Sequence, residues 1–497
     1  MLLPSLRARF VKAAFRWLAP LLSASTLTIG LGLSLDLTGA LHVYGLSSLM
    51  GQKLATGTSL LLVGLALGWV AVAAQATTAL VPVTEARRRR VQRGLTLLLL
   101  LAWLATVRSW LFFLTPQATT LELALAGVGT LGLILALGWP PAPIWLVGMA
   151  AVLGSCARLL SFAVVPIDPA HGDMLPLVQG ALGNLMAGQS PYALYAMPWE
   201  VPLTYLPLTW LAYLPPYLLG ADLRITNVCA ELGLGLLLLW QARLKPEATT
   251  GLLLWAWLFL QPSALSWSLA TTAPVQWLLL TALLLFLSTE QIRPAAVLLG
   301  LCLAATPLVS VIVPFALLCW WRLGGWRLVR RQIGTAALVA LPLVLPFLLW
   351  APQPFSFGVW RWFNDNDLYP RLRWELDQTW ARMIGFSGMF WRHHLVGLLK
   401  PIQALLLLGV AAHYQRGGAT ALRLAPYVAT AFLLFTLFNP VLWPYLYNPA
   451  LLAALVAVTR LGQQRAVEGV LHAPDLAPRA PDLDEPEPRA GRLRIDA

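Results

Sequence analysis

Residues 168 to 173 read Asp168-Pro-Ala-His171-Gly-Asp173, two carboxylates and an imidazole in one short stretch. A carboxylate held at the mouth of a helix can take a proton from a hydroxyl, which is general-base chemistry. The same three side chains can ligate a divalent cation, but three ligands so close in one loop are a weak metal pattern. A second group follows much later. Trp360, Trp362, Phe363, Tyr369, Trp374 and Trp380 alternate with Arg361, Arg371, Arg373 and Arg382. Arg grips phosphate through two parallel bonds, and Trp and Tyr favour the headgroup layer. The composition therefore suits an interfacial helix, a pocket for a lipid phosphate, or both. Asp36, Glu122 and Glu231 fall in apolar runs, and only Glu231 is deep. Its partner is either Arg224, seven residues back, or a cation on another helix. A single intramembrane acid marks a functional position but does not make a proton relay.

The elements that hold these residues follow from composition. Of 497 residues, 59% are hydrophobic and only 11% charged, and mean hydropathy is +0.72. Soluble chains carry roughly 25% charged residues, so a cytosolic enzyme, a nucleic-acid-binding protein and a disordered scaffold are excluded. Apolar runs of about 20 residues recur along the chain and predict an all-α, polytopic membrane protein with roughly 11–14 transmembrane helices. The net charge of +13 sits in short clusters such as Arg87 to Arg90 and Arg327 to Arg331. That is the positive-inside pattern, and it implies membrane lipids but no nucleic acid as partners. The four cysteines, Cys156, Cys229, Cys302 and Cys319, lie in apolar runs with no C-x-x-C pair and read as small buried apolar residues.

Spans are expected near 17–37, 59–81, 95–114, 121–139 and 143–165, the first an uncleaved helix with a cytoplasmic N-terminus. Counting from both ends places loops 166–200 and 352–395 on one extracytoplasmic face. The later spans are near 333–351, 396–412, 424–438 and 442–459, with 322–332 a cytoplasmic loop. Residues 201–321 allow two parses. Either 296–321 is one long helix, or it breaks at Pro307 and 201–219 dips without crossing. From 461 the chain becomes proline-rich and charged and reads as a disordered cytoplasmic tail.

The first loop also carries a resemblance. Asp173-Met-Leu-Pro, Leu185-Met-Ala-Gly188-Gln-Ser-Pro191-Tyr192 and Leu203-Thr-Tyr205-Leu-Pro207-Leu resemble the GT-C superfamily of membrane glycosyltransferases. The similarity is greatest to bacterial mannosyltransferases that use polyprenyl-phosphate mannose. Pro262, Gln276-Trp277 and the run Phe438-Asn439-Pro440 to Trp443-Pro444-Tyr445 resemble later segments of that family. Thr306-Pro307 stands where the family often has Lys-Pro, and Pro274-Val275 where it has Gly before Gln. The resemblance covers roughly 143–460 and leaves 1–142 as extra N-terminal helices.

The resemblance implies a hexosyltransferase of the bacterial cytoplasmic membrane with an extracytoplasmic site. It would move a mannose-like hexose from a polyprenyl-phosphate sugar to a glycan or lipid acceptor. Asp173 is the expected base, with Asp168 assisting. His171, Tyr192, Tyr205, Gln276, Arg361, Arg371, Arg373, Trp443 and Tyr445 are expected to bind substrate. A phosphate leaves without a strong acid but needs cation contacts, which Arg supplies without titrating. No cofactor is required by this chemistry, and a divalent cation stays open. The rival readings are a transporter or flippase of lipid-linked saccharides and a surface-glycan ligase or polymerase.

Overall fold

The computed structural model describes residues 57–69, 85–114, 120–197, 200–242, 249–362, 384–441 and 443–471. These residues form an all-α, multi-pass membrane protein with one small hairpin. Helices α1 (Gly57–Trp69), α2 (Glu85–Leu114), α3 (Thr120–Gly138) and α4 (Pro143–Phe162) come first. The expected span at 95–114 ends as read, but its helix begins earlier, at Glu85. The expected span at 59–81 is helical as far as Trp69 with its remainder outside the described residues, and the expected span at 17–37 lies outside the described residues. α3 and α4 match the apolar runs closely, because each run is delimited by Gly and Pro near 138–143.

After α4 come α5 (Met174–Met186), the antiparallel pair β1 (Leu194–Ala196) and β2 (Glu200–Pro202), and two five-residue helices, α6 (Pro207–Leu211) and α7 (Leu214–Leu218). Residues 201–219 therefore do not span, because prolines at 207, 215 and 216 restart the chain twice. Then follow α8 (Ile225–Ala242), α9 (Thr249–Phe259), α10 (Pro262–Ala270), α11 (Ala273–Ser288) and α12 (Ile292–Ala305). α9 and α10 form a broken apolar pair bent by 65°. At Thr306 the backbone is extended and Pro307 opens a 3-10 turn, so the single-helix parse of 296–321 is replaced by a break.

The long segment α13 (Val313–Trp350) leaves helical geometry only at Gly324 and Gly325. The expected loop at 322–332 is thus helical on both sides of a two-glycine break. Its arginines sit on helix, which Arg favours. The chain ends with α14 (Pro352–Ser356), a π-helical turn Phe357–Arg361, α15 (Ser387–Arg392), α16 (Leu399–Arg416), α17 (Ala421–Leu437), the 3-10 turn Pro444–Tyr447 and α18 (Asn448–Leu471). α18 runs past the composition change at 461, and the rest of the tail lies outside the described residues.

Among the described residues six helices are long and apolar enough to cross a bilayer, or seven with the bent pair. Five more apolar helices are shorter, such as α11 with 16 residues. The long helices show large apolar side chains outward, including Leu338 at 77% and Val128 at 70% exposure. Such faces are stable against lipid and not against water. Cys229 belongs to this outward surface, whereas Cys302 and Cys319 are buried as expected.

A second apolar cluster gathers α5, β2, α6 and α7 with Phe355 of α14. It joins the two loops. An added Cβ at Gly358 would strike the Leu203 carbonyl oxygen, so only glycine allows this approach. Gly358→Ala should lower stability by about 1–3 kcal/mol through overpacking. A thermal unfolding midpoint unchanged from wild type would show that the loops do not depend on this contact.

Candidate functional site

The site is built from the end of α4 outward. Arg224, fully buried, donates to the carbonyls of Phe162 (2.9 Å) and Val165 (2.7 Å) at the end of α4. It lies over the Phe162 ring and is neutralised by Asp222 at 2.6 Å. This cation occupies the negative end of a helix and satisfies carbonyls that have no intrahelical partner. It is therefore not the partner of Glu231. Arg158 of α4 is, through two bonds of 2.7 and 3.1 Å, and it also lies over Phe259. Of the two partners open to Glu231, the cation on another helix is the one observed. Glu122, read as shallower than Glu231, is likewise buried, in the first turn of α3.

The loop that follows is fixed at Gly172. Its φ of +156° suits glycine, and an added Cβ would stand 3.0 Å from the Ala270 carbonyl oxygen. Ala270 is held in turn by Asn227, which donates to the Ser268 and Thr271 carbonyls at 2.8 Å. Asp168 and His171 form an exposed turn. His171 Nδ1 sits 2.7 Å from Asp168 Oδ1, and the His171 backbone N–H donates to the same oxygen at 3.0 Å. The His171 hydrogen bond is the main reason the Asp168 carboxyl is held below its ordinary value. Asp168 and His171 thus engage each other. Asp173 opens α5 and makes no side-chain capping bond, so its carboxylate is not consumed by the helix it begins.

Three expected residues far apart in sequence share one electrostatic environment. Burial holds the Tyr205 phenol well above its ordinary pKa, and the Asp173 carboxylate and the Tyr445 phenol push it further in the same direction. The Asp173 carboxylate and the Tyr445 phenol thus both act electrostatically on Tyr205. Tyr445 is stacked with Trp443, ring centroids 6.3 Å apart. Tyr192 stands behind them. Its hydroxyl donates to the Tyr205 carbonyl at 2.9 Å, and its buried ring packs on Trp210, Phe347 and Phe355. Tyr192 acts on the site through Tyr205.

One end of the second loop packs on the segment that carries Tyr205, and the other on the segment that carries Tyr445. Arg361 is exposed on the turn whose Gly358 meets Leu203. Further on, the Phe386 N–H donates to the Leu437 carbonyl at 2.8 Å and the Tyr447 hydroxyl to the Ile384 carbonyl at 2.9 Å. Arg371 and Arg373 lie outside the described residues. Gln276 is half-buried in the first turn of α11, between Val275 of the loop cluster and Trp277 of the bundle core. Among the described residues no group of three His, Cys, Asp or Glu is placed to hold a metal ion, so Asp168, His171 and Asp173 do not converge as a ligand set.

Arg158 was missed by a search for carboxylates alone. It is a solitary Arg in the apolar run 143–165, and the cost of intramembrane charge was the signal. Comparison of the chain with protein-family models, with curated proteins and with solved structures finds no match.

Proposed function

We propose that the chain is a membrane glycosyltransferase of the GT-C type in the bacterial cytoplasmic membrane. It would transfer a mannose-like hexose from a polyprenyl-phosphate sugar to a glycan or lipid acceptor on the extracytoplasmic face. The observation that supports the reading is that Asp173 and Tyr445 both act electrostatically on Tyr205, while the turn bearing Arg361 packs through Gly358 on Leu203, two residues before Tyr205. A lipid-linked donor needs its tail in the bilayer and its sugar at water, and a site between loops and apolar helices meets both needs.

The acceptor hydroxyl oxygen attacks the anomeric carbon while the bond from that carbon to the phosphate oxygen breaks. The phosphate keeps the electron pair, and the hydroxyl proton passes to Asp173. One carboxylate activates the attacking hydroxyl, as in inverting glycosidases, and a phosphate leaving group spares the second carboxylate that those enzymes use as an acid. Trp443 and Tyr445 offer aromatic faces to the sugar or the lipid, and arginines of the second loop take the phosphate. Purified protein in nanodiscs, offered a panel of radiolabelled polyprenyl-phosphate sugars with membrane glycan acceptors, should move label from lipid to acceptor. Label that stays on the lipid with every donor, in protein that remains folded, sinks the reading.

The phosphate contact has its own test. Neutralising Arg361, Arg371 and Arg373 together should weaken donor binding by about 1.5–3 kcal/mol per charge-assisted bond lost. Lys at the critical position should restore little, because it lacks the planar fork. Unchanged donor affinity in the triple variant would make the Arg-rich loop a membrane anchor.

A flippase of lipid-linked saccharides is the second reading, favoured by the broken pair α9–α10 next to the Arg158–Glu231 ion pair. Broken helices near buried charge recur at transport sites. Donor that crosses the membrane in vesicles without losing its sugar would favour that reading.

A further inference from the structure

A partly open cavity of about 50 Å³ lies in the elbow of the broken pair α9–α10, against α8, α11 and the start of α18. Its walls are mostly apolar and include the indoles of Trp255, Trp267 and Trp277, and Glu231, Gln261, Ser263 and Asn448 also reach it. Gln261 is 3% exposed and Asn448 9%. Neither amide makes a side-chain hydrogen bond to any other described residue. Each amide has two donors and an acceptor with two lone pairs. Polar side chains this deep are almost always satisfied, so two unpartnered amides that open onto one cavity wall point to a polar occupant. The ion pair with Arg158 fixes the Glu231 carboxylate on the same wall as an acceptor whose charge is already balanced. That balance disfavours a cation.

We propose that this cavity binds the vicinal-diol edge of a sugar ring. Each occupant the size of a water needs roughly 10–15 Å³, so the space takes on the order of four heavy atoms. Two adjacent carbons with their hydroxyl oxygens are four. The hydroxyls donate to Glu231 and exchange bonds with the amides of Gln261 and Asn448. The electron-rich faces of the indoles meet the polarised C–H edge of the ring, and the rest of the ring projects through the open side. The cavity adjoins the candidate site. Trp267 is one helical turn from Ala270, which packs against Gly172, and Asn448 directly follows the turn that carries Tyr445. The proposal rests on the reading that the chain handles sugars, but it concerns binding and not transfer.

The test uses the full chain in nanodiscs, with saturation-transfer NMR and titration of methyl α-mannopyranoside. Wild type and Asp173→Asn should both bind, since Asp173 is outside the cavity. Gln261→Leu and Asn448→Leu should each weaken binding about tenfold or more, the value of one well-made hydrogen bond. Glycerol is a second probe and should compete, because it presents the same diol. Thermal midpoints distinguish misfolding from lost contacts. Removing an unpartnered buried amide in favour of an apolar side chain leaves stability equal or higher. If folded Gln261→Leu and Asn448→Leu bind as wild type does, or if wild type binds neither probe, the cavity is not a sugar site. Transfer that persists beside either result leaves the glycosyltransferase reading standing. Cavity binding in a chain that transfers no sugar would remove that reading and keep the site.

Discussion

Asp173→Asn is expected to lower sugar transfer by about 100- to 10,000-fold, the usual loss when a general base is removed. Asn keeps the shape of the side chain and cannot accept the acceptor's proton. Protein level and donor binding should hold, because the Asp173 carboxylate neither caps α5 nor lies in the apolar cluster. Asp168→Asn is the matched control. Asp168 is tied to His171 in an exposed turn, so its loss disturbs that turn and should cost far less. Measured turnover on both variants decides the matter. Near-normal transfer by Asp173→Asn with a dead Asp168→Asn would move the base to Asp168. Full activity in both would remove the mechanism.

Arg158→Leu is expected to destabilise the fold by roughly 3–5 kcal/mol, because it strands the buried Glu231 carboxylate without a partner. Glu231→Leu should cost a similar amount by stranding the guanidinium. The double variant should recover most of the loss, since two well-packed apolar residues can replace a buried ion pair at little cost. Unfolding of the four proteins in the same micelle forms a double-mutant cycle. If the double variant is as unstable as the sum of the singles, the two side chains do not act as a pair.

How much was legible in the sequence differs from one element to the next. α3 and α4 could be read to within a few residues, because long apolar runs bounded by Gly and Pro admit one element. The loop around Asp173 was legible from residue types alone. Its electrostatic link to Tyr205 and Tyr445 was foreshadowed only by separate motifs far apart in the chain, and nothing in their spacing requires it. The Arg158–Glu231 pair joins different helices and obeys no sequence spacing, so periodicity could not find it. The segment 322–332 misled in the opposite way. Its charges suggested a loop, yet two glycines were enough to break the helix and arginine does not prevent it from resuming. Tyr192 shows a limit of motif reading: the motif marked the residue, while its hydroxyl serves the backbone of another.

The grip of Arg224 on the end of α4 has a consequence for synthesis. A ribosome releases the chain N-terminus first, and Arg224 follows Phe162 by 62 positions. At about 5–20 residues per second, α4 and the Asp173 loop wait roughly 3–12 s for the cation that fixes them. Tyr445 arrives later still. During that wait the carbonyls of Phe162 and Val165 face water or lipid headgroups, and the segment that carries Asp173 has no fixed exit from its helix. The insertion of α8 is thus the event that sets the loop.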